Sequence, residues 1–348
     1  MTISIISDPD DISVAWLNSV FALNGLGRVT DFSSESIGTG QVGENVRFKL
    51  TGADVPERVV GKFPSLDPVS RQTGIAQGNY LKEVFFYREI QATVDIQTPV
   101  VFFAAIEEAT HDFVILMEDL APGEQGDQLN GCSPDQAALA LEQLARLQGP
   151  RWGDVNLASH PMLGGEPDSG ADENLLVQFY DGVKPGYLQR YAHRLSQWDL
   201  TATDRLSAFL PSYQTIYANE PPVLIHVDYR LDNMMFGGPY PLTVVDWQSL
   251  STGCPLADVS YFLGTSLLPE VRAKEERALL GFYLDVLKSY RVELGLDDCF
   301  RYYRNYAPAG MIMAVIASMI VGETPRGNDM FMAMATRSAT MCRDLETF

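Results

Sequence analysis

The prevailing hydrophobic period of the sequence changes near residue 120, and that change limits what it can fold into. Up to about residue 120 the apolar residues come mainly in strand-length runs, whereas from residue 134 onward they mostly recur at helical spacing. The chain is therefore expected to be α+β, with a sheet in its N-terminal part and a larger, mainly helical C-terminal part. At 348 residues, 46% hydrophobic and 20% charged, it is long enough for two domains or lobes and an ordinary soluble core.

Residues 8–24 read as a helix, with Asp8 as cap, Pro9 in the first turn, and Ile12, Trp16, Leu17 and Val20 at helical spacing. In "ESIGTGQVGENVRFKL", Gly38, Gly40 and Gly43 precede Val46, Phe48 and Leu50, which alternate with Arg47 and Lys49: a strand after a tight turn. "ERVVGKFPS" reads as a short strand carrying Lys62, and "YLKEVFFYREIQ" as an amphipathic helix carrying Glu83 and Glu89. "TPVVFFAAI" and "FVILMEDL" are two further strands. The Gly- and Pro-rich stretch "EDLAPGEQGDQLNGCSP" marks the boundary between expected domains 1–120 and 121–348. Beyond it, Ser133-Pro134-x-Gln136 is a capping box opening the first helix of the C-terminal part. The exceptions to the helical pattern are "PVLIHVDYRLDNMMF" and "LTVVDWQSL", which read as a short hairpin around a loop.

A net charge of −20 argues against a nucleic-acid partner, whose phosphates need clustered Lys and Arg. It suits a cationic small substrate, and equally solubility alone. Cys132, Cys254, Cys299 and Cys342 lie far apart, without the C-x-x-C pairs of a zinc site or a disulfide framework. The longest apolar run, 307–322, falls short of the roughly 20 residues of a membrane helix and reads as a buried helix. The opening "MTISIISDPDD" has no basic region followed by an apolar stretch, so no secretory signal is read and a reduced, cytoplasmic setting is expected.

Polar residues set into apolar runs must be repaid by partners, and "IHVDYRLDNMMF" holds His226, Asp228, Arg230, Asp232 and Asn233. Asp228 and Asn233 are five residues apart, and Asp246 follows in "VVDWQ". A carboxylate to accept a hydroxyl proton, with an amide and a second carboxylate as Mg²⁺ oxygen ligands, would make a phosphoryl-transfer set. The competing readings are a transition-metal site at His226-x-Asp228 and a hydrogen-bonded buried turn. His111, His160 and His193 supply no H-x-H or H-x₃-H spacing for the first. The G-x-G-x-x-G match is followed by a strand rather than a helix, so it is either a hairpin turn or a phosphate cover. Lys62 in an apolar strand is either an exposed edge-strand lysine or one drawn into the sheet with an anionic partner, Glu83 first and Glu89 second in line.

"HVDYRLDN" followed by "VVDWQSLSTGCPLADVSYFL" resembles the catalytic loop and metal-binding segment of the aminoglycoside phosphotransferase and choline-kinase-like superfamily. The resemblance extends upstream through "FVILMEDLA", "GDQLNG" and "LARLQGPRW", and covers most of the chain to about residue 265. It implies a bilobed protein-kinase-like fold and ATP-dependent phosphorylation of a small hydroxylated molecule, with GTP as the other candidate donor. Asp228 would be the catalytic base, and Asn233 and Asp246 would hold Mg²⁺. Lys62 would bind the α- and β-phosphates, oriented by Glu83. Gly38, Gly40 and Gly43 would cover the phosphates, and the backbone from Glu118 to Leu120 would meet the adenine. His226 and Asp258 would hold the catalytic loop, and Arg230 would lie near phosphate or substrate. Two positions depart from the family pattern: Val227, commonly glycine, and Gln148, often histidine.

Two other functions are open to such a chain. One is a catalytically silent nucleotide-binding regulator, against which every expected catalytic position is filled. The other is a protein kinase, which the missing D-F-G and A-P-E pair disfavours.

Overall fold

The computed structural model describes residues 3–38, 42–163, 175–218, 220 and 222–348. The chain divides into two compact units, one of residues 1–93, 97–123 and 237–249, the other of 94–96, 124–236 and 250–348.

In the first unit, Asp8 caps a short 3₁₀ turn, Pro9–Asp11, and the chain then straightens at Ile12. Helix α1 (Val14–Leu23) starts afresh at Ser13, whose hydroxyl accepts the Trp16 N–H at 3.2 Å. The helix expected over 8–24 is thus two pieces, because a serine that bonds the backbone ahead of it starts a helix more readily than it continues one. Strands β1 (Arg28–Ile37), β2 (Gly43–Ala53), β3 (Arg58–Pro64), β4 (Val101–Glu107) and β5 (Asp112–Glu118) form an antiparallel sheet of order β1-β2-β3-β5-β4. Strand alternation sends Val46, Phe48, Leu50, Val59 and Phe63 into a core with Trp16, Leu17, Val20 and Phe21 of α1. Lys62, opposite Asn45 in the β2–β3 register, therefore lies on the other face.

Helices α2 (Pro68–Ala76) and α3 (Asn79–Phe85) follow the first three strands. The amphipathic pattern over 80–91 continues past α3 as a π turn, Phe86–Ile90. That wider turn buries Phe86, Tyr87 and Ile90 together and leaves Arg88 and Glu89 exposed. The chain re-enters this unit at 237–249, where the Val244 N–H donates to the Gln97 carbonyl (3.0 Å). There the Trp247 ring stacks on Phe86 with centroids 3.7 Å apart and planes within 4°.

The second unit contains α4 (Pro134–Gln148), α5 (Val155–Ala158), α6 (Leu175–Tyr191), α7 (Gln197–Thr215), α8 (Pro255–Ser266), α9 (Pro269–Ser289), α10 (Leu296–Asn305), α11 (Ala309–Ile320) and α12 (Pro325–Asp344). Helix α4 opens with both bonds of the Ser133/Gln136 capping box, at 3.2 and 3.0 Å. Most of α11, the long apolar run, is buried. Among the described residues, no helix is long and apolar enough to cross a membrane. Strand Val223–Ile225 pairs antiparallel with Ser251–Gly253, and Met234–Phe236 with Glu124–Gln125, so the loop 226–233 runs between two anchored strands.

Trp247→Ala should cost about 3–5 kcal/mol in urea unfolding of the whole chain. Adding Phe86→Ala should then cost less than it does alone, because the two substitutions remove one shared stack.

Candidate active site

In the first unit the geometry centres on Lys62, which is 9% exposed. Its Nζ lies 2.7 Å from Glu83 Oε2 and 2.6 Å from Asp246 Oδ1. Glu83 comes from the buried side of α3, whereas Glu89 is exposed on the π turn, so Glu83 is the partner. Asp246 comes from the re-entering segment, with its backbone in the left-handed region (φ 69°). Burial works against the Lys62 charge, but Asp246 and Glu83 outweigh it and raise the ammonium above its ordinary value. The Glu83 carboxyl is also pushed up, by burial and by the like charge of Asp246, with Lys62 opposing. One cation shared by two carboxylates leaves the group with excess negative charge.

Gly38 follows β1 with φ 75°, Gly40 lies outside the described residues, and Gly43 opens β2. A Cβ on Gly43 would press on the Phe63 carbonyl oxygen at 3.1 Å and meet Lys62 Cε at an ordinary contact distance of 3.5 Å. At the end of β5, Glu118 exchanges two bonds with Val100: its N–H donates to the Val100 carbonyl (2.9 Å), and its Oε1 accepts the Val100 N–H (2.7 Å). Leu120 is buried, and its carbonyl accepts the Gly123 N–H at 2.8 Å. Between them Asp119 is held by Arg47, Nε to Oδ2 at 2.7 Å and Nη2 to Oδ1 at 3.3 Å, a bracket that sequence reasoning did not find.

In the second unit, Asp258 in the first turn of α8 grips the loop backbone, accepting the N–H of His226 (2.6 Å) and of Val227 (3.0 Å). Val227 is held at φ 72°, where a β-branched side chain is strained and glycine is at ease. Asp228 follows, its side chain 19% exposed. Its Oδ1 accepts from Arg230 Nε (2.9 Å) and the Tyr261 hydroxyl (3.0 Å), and its Oδ2 from Asn233 Nδ2 (2.9 Å) and, more distantly, Arg230 Nε (3.1 Å). Burial pushes the Asp228 carboxyl up, but Arg230, His226 and the Tyr261 hydroxyl together bring it below the usual carboxylate value.

Asn233 also donates to the Asp228 carbonyl at 2.8 Å. Both bonds use Nδ2, so Oδ1 remains as its oxygen donor. Asp232 takes Arg230 Nη1 (2.8 Å), both Nη atoms of Arg326 from α12 (2.9 Å each) and the Gln128 N–H (3.2 Å). Gln148 is wholly buried, donating to the Pro255 carbonyl at 3.1 Å and accepting the Tyr283 hydroxyl.

The structure thus gathers Lys62, Glu83 and Asp246 in one unit, and Asp228, Asn233, His226 and Asp258 in the other. Sequence reasoning missed Tyr261, whose only signal is its place three residues after Asp258 on one helix. Arg326, far along the chain, carried no spacing cue. Among the described residues, no group of three or more His, Cys, Asp or Glu is arranged to hold a metal. The Asn233 amide and the Asp246 carboxylate are hard oxygen donors of the kind Mg²⁺ takes.

Residues 43–291 match the phosphotransferase enzyme family, and the chain belongs to it. Its fold is that of a Plasmodium vivax ethanolamine kinase (TM-score 0.53, 12% identity, covering 94% of this chain and 84% of that one). It is similarly that of a thermostable mutant of aminoglycoside phosphotransferase APH(4)-Ia in a ternary complex with AMP-PNP and hygromycin B (TM-score 0.51, 15% identity, 94% and 97% covered). These likenesses establish the α+β kinase-like fold. A stretch of 88 residues is 35% identical to acyl-CoA dehydrogenase family member 11 of Gallus gallus, spanning 23% of this chain and 11% of that protein.

Val227→Gly should leave the loop in place and raise stability by up to about 1 kcal/mol, the relieved strain being partly offset by the freer unfolded chain. Chemical denaturation reads it. Burial, only partly opposed by His226 and the two N–H groups, raises the Asp258 carboxyl to about 6. A carboxyl that holds its proton more tightly when folded adds stability below its unfolded value near 4, and loses that contribution as pH rises through about 6. The stability of the wild type relative to Asp258→Asn should therefore fall between pH 4 and pH 7; a flat difference would contradict the assignment.

Proposed function

We propose that the protein transfers the γ-phosphoryl group of ATP, with GTP as the alternative donor, to a hydroxyl of a small molecule in the cytoplasm. Residues 1–120 would serve the nucleotide, and residues 121–348 the catalytic loop and acceptor. The observation that carries the reading is the buried Lys62 ammonium held between Glu83 and Asp246. A fixed, fully charged cation of this kind suits the α- and β-phosphates. Gly38, Gly40 and Gly43 would bring backbone over those phosphates, and the backbone of Glu118 to Leu120 would meet the adenine.

Asp228 is the base in this reading. Its ionised, partly accessible carboxylate would accept the proton of the acceptor hydroxyl. Asn233 Oδ1 and the Asp246 carboxylate would hold Mg²⁺, which when bound supplies charge neutralisation at the phosphate oxygens. Support for a hydroxylated, amine-bearing acceptor comes from the ethanolamine kinase and the hygromycin B complex of similar fold, together with the net charge of −20.

ATP with Mg²⁺ at millimolar concentration should raise the melting temperature of the wild type and of Asp228→Asn, and Lys62→Ala should lose that shift. In an ADP-release screen over hydroxylated metabolites and aminoglycosides, Asp228→Asn should lower the rate about 10²–10⁴-fold. A wild type with no nucleotide-dependent shift would contradict the proposal.

A further inference from the structure

We propose that Tyr261 is a positioning residue for the base, fixing Oδ1 of Asp228 so that Oδ2 is the oxygen presented to the acceptor hydroxyl. The inference rests on the phosphotransfer reading and adds a residue to its machinery. Tyr261 is 3% exposed and stands one helical turn beyond Asp258 on α8, so both project from the same side of the helix. The two divide the loop between them. Asp258 holds the backbone at His226 and Val227, while the Tyr261 hydroxyl reaches the Asp228 side chain at 3.0 Å. An ionised carboxylate only accepts hydrogen bonds, so the phenol is the donor.

The remaining bonds explain why one such donor matters. Arg230 offers Asp228 a single Nε hydrogen, shared between Oδ1 at 2.9 Å and Oδ2 at 3.1 Å, while its Nη1 is engaged by Asp232. A shared bond resists rotation of the carboxylate weakly. The Tyr261 bond to Oδ1 and the Asn233 bond to Oδ2 set its plane, and the longer Arg230 contact on Oδ2 is the one an incoming hydroxyl can replace. Unlike a second arginine, a neutral phenol orients the carboxylate without adding a cation beside it. In the reaction, the acceptor oxygen bonds to the γ-phosphorus as the bond to the β,γ-bridging oxygen breaks. ADP leaves with that electron pair, and the hydroxyl proton passes to Oδ2.

The test is steady-state ADP release from ATP and Mg²⁺ by the full chain, with water as the acceptor, alongside thermal melts. Tyr261→Phe should lower the rate at saturating ATP about tenfold, with half-saturation by ATP changed less than twofold and the ATP-dependent melting shift retained. In an Asp228→Asn background the same substitution should change the rate less than twofold, because there is no longer a carboxylate to orient. A Tyr261→Phe enzyme at full rate overturns the proposal. So does an equal loss in the Asp228→Asn background, which would assign the tyrosine to the packing of α8. A wild type showing neither melting shift nor ADP release removes the phosphotransfer reading itself, and this inference with it.

Discussion

A lysine ammonium shut away from water is the constraint on which the first unit is built. Removing both carboxylates from Lys62 would leave a buried charge uncompensated, an error that typically costs several kcal/mol. The elements that supply Glu83 and Asp246 are therefore tied to β3 as firmly as by packing. Helix α3 must present Glu83 inward, and the chain must return at 237–249 to bring Asp246. The stack of Trp247 on Phe86 secures that return one residue beyond the aspartate. Packing and electrostatics thus fix the same short segment.

The second unit solves a different problem, a polar loop enclosed by apolar strands. Every charged side chain of "HVDYRLDN" has a partner of opposite charge or a polar donor: Asp228 has Arg230, Tyr261 and Asn233, and Asp232 has Arg230 and Arg326. Charge-assisted bonds at these distances offset the cost of burial. The arginines of this acidic chain that matter to the site are all committed to carboxylates, Arg47 to Asp119 included. In the proposed function, nucleotide phosphates would have to compete with Asp246 for Lys62.

Much of this was legible in the sequence where the causes are local. Alternation in 46–50 marked β2, the capping box marked α4, and the short step from strand to helix allowed Lys62 to be paired with Glu83. Ser13 could have been read as a second cap, but the apolar spacing across it masked the break. What could not be read is contact between distant positions. The Lys62–Asp246 bond joins residues 184 apart, and the Arg326–Asp232 pair residues 94 apart, with no periodicity to announce either. Val227 shows a third limit. The sequence shows only a valine where the resembled family commonly has glycine, whereas the structure locates its effect in the backbone, at a φ that glycine adopts freely.

The central claim is that this constellation moves a phosphoryl group to a small hydroxylated molecule. The direct measurement is the fate of γ-labelled ATP incubated with the protein, Mg²⁺ and a panel of hydroxylated amines and sugars. The account expects label in a low-mass organic product with the wild type and none with Asp228→Asn. Label that remains on ATP, or that appears only on protein, would contradict it.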